Sequence, residues 1–228
     1  SRGLGDVYKR QLLDSVFQDK KETFMTTSTP THRMAGHLLV ECLVAQGVDI
    51  AFGVPGESYL AVLDGFHEHR KDIKFVINRQ EGGAAYMAEA YGKLTGRPGV
   101  CLVTRGPGAT NASIGLHTAF QDSTPMVLLV GDVASHTRDR ESFQEMDFSA
   151  FFGPATKGLA KRVERIDDAS RIPEYIARAF ATALHGRPGP VVLVLPEDML
   201  TQQVEMTPLT APLPQVEPLE TWMAPGAL

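Results

Sequence analysis

Two short segments of the sequence combine glycines with residues whose chemistry could serve a ligand or a reaction. In the first, Glu81 precedes Gly82 and Gly83 at the start of a predicted helix. The helix dipole favours a carboxylate in the first turn, so position alone does not give Glu81 a functional role. The two glycines each disfavour a helix by about 1 kcal/mol, which indicates that another group closely approaches the backbone there.

The second segment is the turn at residues 105–108 (RGPG), directly before another predicted helix. Glycines at such a position can direct backbone N–H groups at an anion. Their spacing fits neither the dinucleotide-binding glycine pattern nor the P-loop, so the turn alone predicts only a tight connection. Residues 53–57 (GVPGE) allow the same two interpretations.

Other catalytic patterns are missing from the sequence. The seven histidines lack metal-ligand spacing. No Gly-x-Ser-x-Gly motif is present, which argues against a serine hydrolase of the α/β type. The charged segment 136–145 has the composition of a solvated loop.

Apolar strands and helical periodicities alternate along the chain. The predicted strands are residues 50–53, 74–78, 100–104, 125–131, 157–163 and 190–195. The predicted helices are one capped by Thr31 and ending at Gly47, one containing residues 59–66, and those at 81–94, 109–121 and 168–184. Continuous apolar strands separated by helices predict an α/β fold: a doubly wound, mainly parallel six-stranded sheet with helices on both faces. Ligands of such sheets bind where the strands end, which directs attention to the loops after Phe52, Asn78, Thr104 and Gly131.

Composition excludes several classes of protein. Hydrophobic residues make up 43% of the chain and charged residues 21%, enough apolar material for a folded core. The net charge of -5 and the lack of a basic stripe argue against nucleic-acid binding. No apolar run approaches the ~18 residues of a membrane span. Cys42 and Cys101 lie in apolar stretches, which excludes a disulfide scaffold and favours a cytoplasmic location.

The two ends differ from the rest of the chain. Residues 1–24 show weak periodicity and no secretory pattern, and we interpret them as a non-native or disordered leader. The predicted domain comprises residues 25–200. Residues 201–228 hold five of the fifteen prolines and are predicted to be a linker toward a central domain outside this chain.

Five collinear motifs carry a resemblance to a known family. They are FGVPG at 52–56, RQEGGAAYMAEAYGKLTGRPGVCLVTRGPGATN at 79–111, DSTPMVLLVGD at 122–132, SFQEMD at 142–147 and GRPGPVVLVLPED at 186–198. Together they resemble the amino-terminal pyrimidine-binding domain of thiamine diphosphate enzymes, most closely that of acetolactate synthase-like large subunits. The resemblance covers about residues 30–200.

The resemblance implies a carboligase or decarboxylase that acts on a 2-oxo acid such as pyruvate. It places a catalytic hydrogen bond from Glu81 to the cofactor's ring nitrogen N1′, and it assigns a second catalytic role to Gln144. Further cofactor contacts are implied for Val54, Pro55, Gly56, Pro107 and Asn111. Substrate-side positions are implied for Glu57, Phe143, Gln144, Lys157 and Pro125.

The resemblance also implies what this chain lacks by itself. No metal ligand is predicted in it, because Mg²⁺ and the diphosphate are held in this family by a later domain. FAD is a further cofactor of many acetolactate synthases, and the sequence leaves its use open. The site would lie between subunits of a homodimer or homotetramer, so the chain alone is expected to be inactive.

Three departures from the family pattern keep alternatives open. Glu57 stands where a second glycine is usual, Gln80 replaces a histidine, and residues 138–141 (RDRE) replace a small neutral segment. A carboxylate near the cofactor would disfavour an anionic 2-oxo acid unless it were protonated or paired. A 2-oxo acid decarboxylase, a sulfoacetaldehyde acetyltransferase, a cyclic-diketone hydrolase and a non-catalytic or split subunit therefore remain alternatives.

Overall fold

The computed structural model describes residues 31–206 except residues 154, 156 and 158. The predicted leader and residues 207–228 of the predicted linker lie outside the described residues. In chain order the elements are β1 (Thr31–Met34), α1 (Ala35–Ala45), β2 (Ile50–Gly53), α2 (Leu60–Glu68), β3 (Lys74–Ile77), α3 (Glu81–Thr95), β4 (Gly99–Val103), α4 (Gly106–Gln121), β5 (Met126–Asp132), α5 (Phe148–Phe152), β6 (Arg162–Arg165), α6 (Ile172–Leu184), β7 (Pro190–Pro196), α7 (Glu197–Leu200) and β8 (Gln203–Met206).

The main sheet confirms the predicted fold class. Six strands lie in the order β3-β2-β4-β5-β7-β6, and every pairing between them is parallel. In the sheet, β3 lies on one side of β2 and β4 lies on the other, so the chain reverses its direction across the sheet after β3. This reversal leaves a crevice at the carboxyl ends of β2 and β4, where open α/β sheets bind their ligands.

Helices cover both faces of the sheet, so the central strands are buried on each side. On β5, Val127 and Leu129 pack in the core that includes residues of α1, α2 and α6. The alternate residues Met126, Leu128 and Val130 pack in the core that includes residues of α3, α4 and α5. The period of two explains why this strand is apolar throughout.

The edge strands differ from their predictions. The sequence predicted a buried strand at 74–78, but β3 lies at the sheet edge and Ile77 is 67% exposed. The strand predicted at 157–163 is instead β6, at Arg162–Arg165, on the opposite edge. Edge strands lack a second neighbour, so their apolar pattern is weaker and locates them less well.

The predicted cap of the first helix is also wrong. Thr31 does not cap it, because residues 31–34 form β1 and pair antiparallel with β8. α1 begins at Ala35, whose N–H donates to the Gln202 carbonyl at 2.9 Å. The first six residues of the predicted linker therefore include a strand that packs beside the start of the domain.

Helices α3 and α4 pack side by side, and a glycine permits their close approach. A Cβ on Gly115 would lie 2.5 Å from the Ala85 Cβ and 2.8 Å from the Ala85 carbonyl carbon. The two helices begin at the crevice, so their spacing also sets the distance between their first turns.

Replacing Gly115 by alanine should therefore lower the free energy of unfolding by about 1–3 kcal/mol, the usual cost of overpacking. Chemical denaturation measures this change. Gly83→Ala is the matched control, since the nearest atom to its Cβ would be Asn78 Oδ1 at 3.9 Å. We expect this control to be neutral or to stabilise by less than about 1 kcal/mol. Equal stabilities of the two variants would contradict the packing argument.

Candidate functional site

The start of α3 is held by the side chain of Gln80. Gln80 is the N-cap, and its Oε1 accepts a hydrogen bond from the Gly83 N–H at 3.0 Å. The Asn78 N–H donates to the Gly53 carbonyl at 2.8 Å, which ties the approach to α3 to the end of β2. These contacts bring Glu81 to the crevice.

The Glu81 carboxylate faces the Gly-Pro-Gly turn, residues 106–108 at the start of α4. Asn111 Nδ2 donates to Glu81 Oε2 at 2.9 Å. Oε1 lies 3.5 Å from the position that a Cβ on Gly108 would occupy. Glu81 is half-buried, whereas Pro107 and Asn111 are exposed. The structure thus brings Glu81 and Asn111 into contact beside the turn that contains Pro107.

The charge of Glu81 also affects the core beneath it. Burial raises the pKa of the Cys101 thiol, and the nearby Glu81 carboxylate raises it further. Cys101 and Cys42 are both free and buried, and burial is the main cause that raises the pKa of Cys42 to about 12. Both side chains are therefore neutral thiols that fill the core.

The loop after β2 is fixed against the loop after β4. The Tyr59 hydroxyl donates to the Val54 carbonyl. A Cβ on Gly56 would lie 2.6 Å from the Thr104 Cβ, so a larger residue would push the two loops apart. The Ser58 and Thr104 hydroxyls form a hydrogen bond of 2.9 Å. This loop, which includes Pro55, is therefore held at the β2–β4 crevice.

A buried arginine joins three segments at this edge of the sheet. Arg105 donates to Glu57 Oε1 and to Glu197 Oε2, each at 2.6 Å. Its side chain is 9% exposed, against 68% for Glu57 and 44% for Glu197. An unpaired carboxylate at position 57 would disfavour an anionic 2-oxo acid, but the Glu57 carboxylate is paired with Arg105.

Sequence reasoning did not identify Arg105 or Glu197 as parts of this edge. The partners of Arg105 are 48 and 92 residues away along the chain, so no spacing reveals them. The only signal is that a charged side chain directly after a buried strand must find a partner.

Phe143 and Gln144 lie in a loop that contacts the start of α4. The Gln144 carbonyl accepts from the Gly106 N–H at 3.0 Å, and a Cβ on Gly106 would lie 2.9 Å from that oxygen. Phe143 is 73% exposed. The predicted substrate-side loop thus lies beside the Gly-Pro-Gly turn.

Glu145 holds this loop in a conformation that costs free energy. Asp139, Glu141 and Gln144 have left-handed φ values of 61°, 57° and 62°, each costing of the order of 1–3 kcal/mol. The Glu145 carboxylate accepts from the N–H groups of Asp139 at 2.6 Å and Ser142 at 2.9 Å. The hydrogen bond from the Asp139 N–H lowers the pKa of this carboxyl below its ordinary value, and the hydrogen bond from the Ser142 N–H lowers it further. The spacing Ser142-x-x-Glu145 is that of a capping box, a signal that could have identified the contact.

Two predicted substrate-side residues do not join this cluster. Pro125 precedes β5 at the amino edge of the sheet, where its carbonyl accepts from the Gly99 N–H at 3.2 Å. At that edge Pro125 packs against Gly92, near the end of α3. Gly92 lies eleven residues after Glu81, which at 1.5 Å per residue is about 16 Å along the helix. Lys157 is exposed with a left-handed φ of 52°, and among the described residues no hydrogen bond or ion pair joins it to another predicted site residue.

A polar cleft of 640 Å³ lies beside the Gln144 loop. Its lining includes Gln144, Arg138 and the ion pair between Asp132 and Arg165. Within residues 31–206, apart from the three omitted positions, no group of three or more His, Cys, Asp or Glu side chains could hold a metal ion. None of the helices in this part of the chain is long and apolar enough to cross a membrane.

Comparison with known proteins gives a consistent result. Residues 33–151 match the family described as "Thiamine pyrophosphate enzyme, N-terminal TPP binding domain". The chain is 40% identical over 165 residues to the acetolactate synthase of Bacillus subtilis, covering 72% of this chain and 28% of that protein. It is 42% identical over 165 residues to the isozyme 3 large subunit of Escherichia coli acetolactate synthase, with the same two coverages. For the acetolactate synthase large subunit of Corynebacterium glutamicum the identity is 36% over 196 residues, covering 85% of this chain and 30% of that protein.

The chain therefore spans less than a third of the length of these relatives. The matched segment contains Glu81, the Gly-Pro-Gly turn, Asn111 and the Gln144 loop, and it accounts for more than half of the chain. The resemblance carried by the motifs is confirmed, and the chain belongs to the family of N-terminal TPP-binding domains of thiamine pyrophosphate enzymes.

Proposed function

We propose that this chain supplies the aminopyrimidine-binding site of a thiamine diphosphate-dependent, acetolactate synthase-like carboligase that acts on a 2-oxo acid such as pyruvate. The observation that carries the proposal is the meeting of Glu81, Asn111 and the Gly-Pro-Gly turn at the β2–β4 crevice. The three relatives described as acetolactate synthases support the choice of reaction.

The residues at the crevice fit an aminopyrimidine ring. Gly108 leaves room beside Glu81 Oε1 that a Cβ would narrow. The groups that would hold the ring are Glu81, Pro107, Asn111 and the loop of Val54, Pro55 and Gly56. When bound, thiamine diphosphate supplies a carbon nucleophile and an electron sink for decarboxylation.

Glu81 has the central role among these residues. Asn111 engages Oε2 and so orients the carboxylate. Oε1, on the side of the Gly-Pro-Gly turn, then holds a proton shared with a ring nitrogen. Sharing that proton is general acid–base work, which requires a fixed hydrogen-bonding distance.

The Gln144 loop forms the substrate side in this proposal. Its attachment to Gly106 places Gln144 and Phe143 next to the cofactor residues. We assign the Phe143 ring, 73% exposed in this chain, to the substrate side, and Gln144 to a hydrogen bond with the substrate. We assign Glu57, which is paired with Arg105, to the substrate side as well.

We further propose that Mg²⁺ and the diphosphate are bound outside this domain and that the site is completed in a homodimer or homotetramer. The alignments leave most of each relative's length beyond this chain, which supports the first point. Tyr86, Met87 and Ile114 form an exposed apolar face on α3 and α4 near Glu81, which supports the second. The buried free thiols agree with a cytoplasmic location. Whether the protein binds FAD is tested by the visible absorbance spectrum of the purified protein.

Glu81→Gln should lower cofactor-dependent turnover by about 100-fold, the scale of a lost general acid–base group. The measurement is steady-state turnover by the protein at its full natural length. Glu89→Gln is the control on the same helix, since the buried Glu89 contacts Thr124 and Lys93 instead of the crevice. The control should retain most of its activity. A wild-type rate for Glu81→Gln would refute the assignment.

Product analysis tests the reaction itself. With pyruvate, thiamine diphosphate and Mg²⁺, we expect the full-length protein to form acetolactate. Acetaldehyde as the sole product would identify a decarboxylase instead. Absence of turnover with any 2-oxo acid would contradict the proposed function altogether.

The loop contact of Glu145 predicts a pH dependence. Its folded-state pKa lies below the ordinary 4.5, so its stabilisation of the loop is complete above that value and is lost as the pH falls through the folded-state pKa. We expect its carboxyl NMR signal to titrate below 4.5, with faster exchange of the Ser142 amide at lower pH. Glu145→Gln should show fast exchange already at neutral pH. A carboxyl midpoint at or above 4.5 would contradict this account.

A further inference from the structure

We infer that Arg105 is a positioning residue that allows the site to accept an anionic substrate, acting through Glu57. The inference rests on the proposed function, because it concerns the charge of the 2-oxo acid. It starts from the pairing of a buried guanidinium with two more exposed carboxylates at the crevice.

The position of this pairing connects it to the site. Glu57 directly follows Gly56, the last residue of the proposed cofactor loop. Arg105 directly precedes the Gly-Pro-Gly turn and is the N-cap of α4. The guanidinium therefore lies between the two loops that border the crevice. In the proposed function the substrate binds beside these loops, so the exposed Glu57 carboxylate would lie near it.

The orientation of Arg105 is set by its two acids. Its Nε is buried without a hydrogen-bond partner among the described residues, which carries a free-energy cost. The side chain nevertheless keeps both 2.6 Å contacts. Glu197, at the start of α7, thus braces the guanidinium in the orientation that engages Glu57.

The charges explain why the contact matters for substrate. Arg105 with Glu57 and Glu197 carries a formal charge of -1 in total, and without Arg105 the same edge would carry -2. Although Glu57 is 68% exposed, the guanidinium is only 9% exposed and donates to it at 2.6 Å, so it neutralises the carboxylate at short range, where screening is weaker than over longer distances. An unpaired Glu57 would repel an anionic 2-oxo acid but would have little effect on a neutral one.

Two ligands of similar shape, one anionic and one neutral, test this inference. We expect Arg105→Gln to raise KM for pyruvate by about tenfold, equivalent to about 1.4 kcal/mol. Methyl pyruvate, the neutral ester, has no free carboxylate to lose as CO2, so it is used as a competitive inhibitor of pyruvate turnover. Its inhibition constant should change by less than about twofold, which is within about 0.4 kcal/mol. Arg105→Lys, which keeps the charge, should lie closer to the wild type. The double variant Arg105→Gln/Glu57→Gln should restore the ratio of KM for pyruvate to the inhibition constant of methyl pyruvate, because the unpaired carboxylate is gone.

Arg178 provides the matched control. Its guanidinium also contacts two glutamates, Glu164 and Glu174, but on α6 and β6 rather than at the crevice. Arg178→Gln should leave this ratio unchanged. An equal change of both constants in Arg105→Gln, or a ratio that removal of Glu57 does not restore, would overturn the inference while pyruvate turnover by the wild type upholds the proposed function. A wild type inactive on pyruvate would overturn both.

Discussion

The hydrogen bond between Asn111 and Glu81 joins the first turns of two helices that follow different strands, and the rest of the site is arranged around it. It can form only because α3 and α4 lie on the same face of the sheet and begin at the same edge. That arrangement follows from the strand order, in which the chain reverses direction across the sheet between β2 and β4. The small residues Gly115 and Gly108 then allow the helices and the turn to approach closely enough.

The loops around this hydrogen bond are stabilised in two physically different ways. Neutral contacts, such as those of Tyr59 with Val54 and of Ser58 with Thr104, fix the loop after β2 against the sheet. Ionised carboxylates stabilise the more exposed parts, where Glu145 accepts backbone N–H groups of a loop with three left-handed residues. Charge-assisted hydrogen bonds are the stronger kind, and they offset a backbone conformation that would otherwise be disfavoured.

The central architecture and the core of the site could be predicted from sequence because their signals are local. Strands β2, β4, β5 and β7 are unbroken apolar runs, and their predicted bounds agree with the structure to within a residue or two. Glu81 and Asn111 lie in one contiguous motif, at 79–111, and their roles were predicted from the resemblance of that motif to a known family, since position alone gave Glu81 no functional role. The edge strand β3 was predicted to be buried, and Thr31 was predicted to cap a helix, because neither sheet edge position nor pairing with residues 203–206 can be read from local periodicity. Contacts between distant residues, such as Arg105 with Glu197, leave no local pattern that identifies the partner.

Glu57 and Arg105 are best understood as one unit rather than as two separate departures. Glycine at position 57 would remove a charge at the crevice. Arg105 would then keep Glu197, one of its two present acidic partners. A neutral residue at position 105 would leave two carboxylates facing the same space. Either change alone alters the net charge next to the substrate by one, whereas both together preserve it. In the proposed function, the electrostatic constraint at this edge of the sheet therefore acts on the pair, and Glu57 is compatible with an anionic substrate because the buried Arg105 neutralises it.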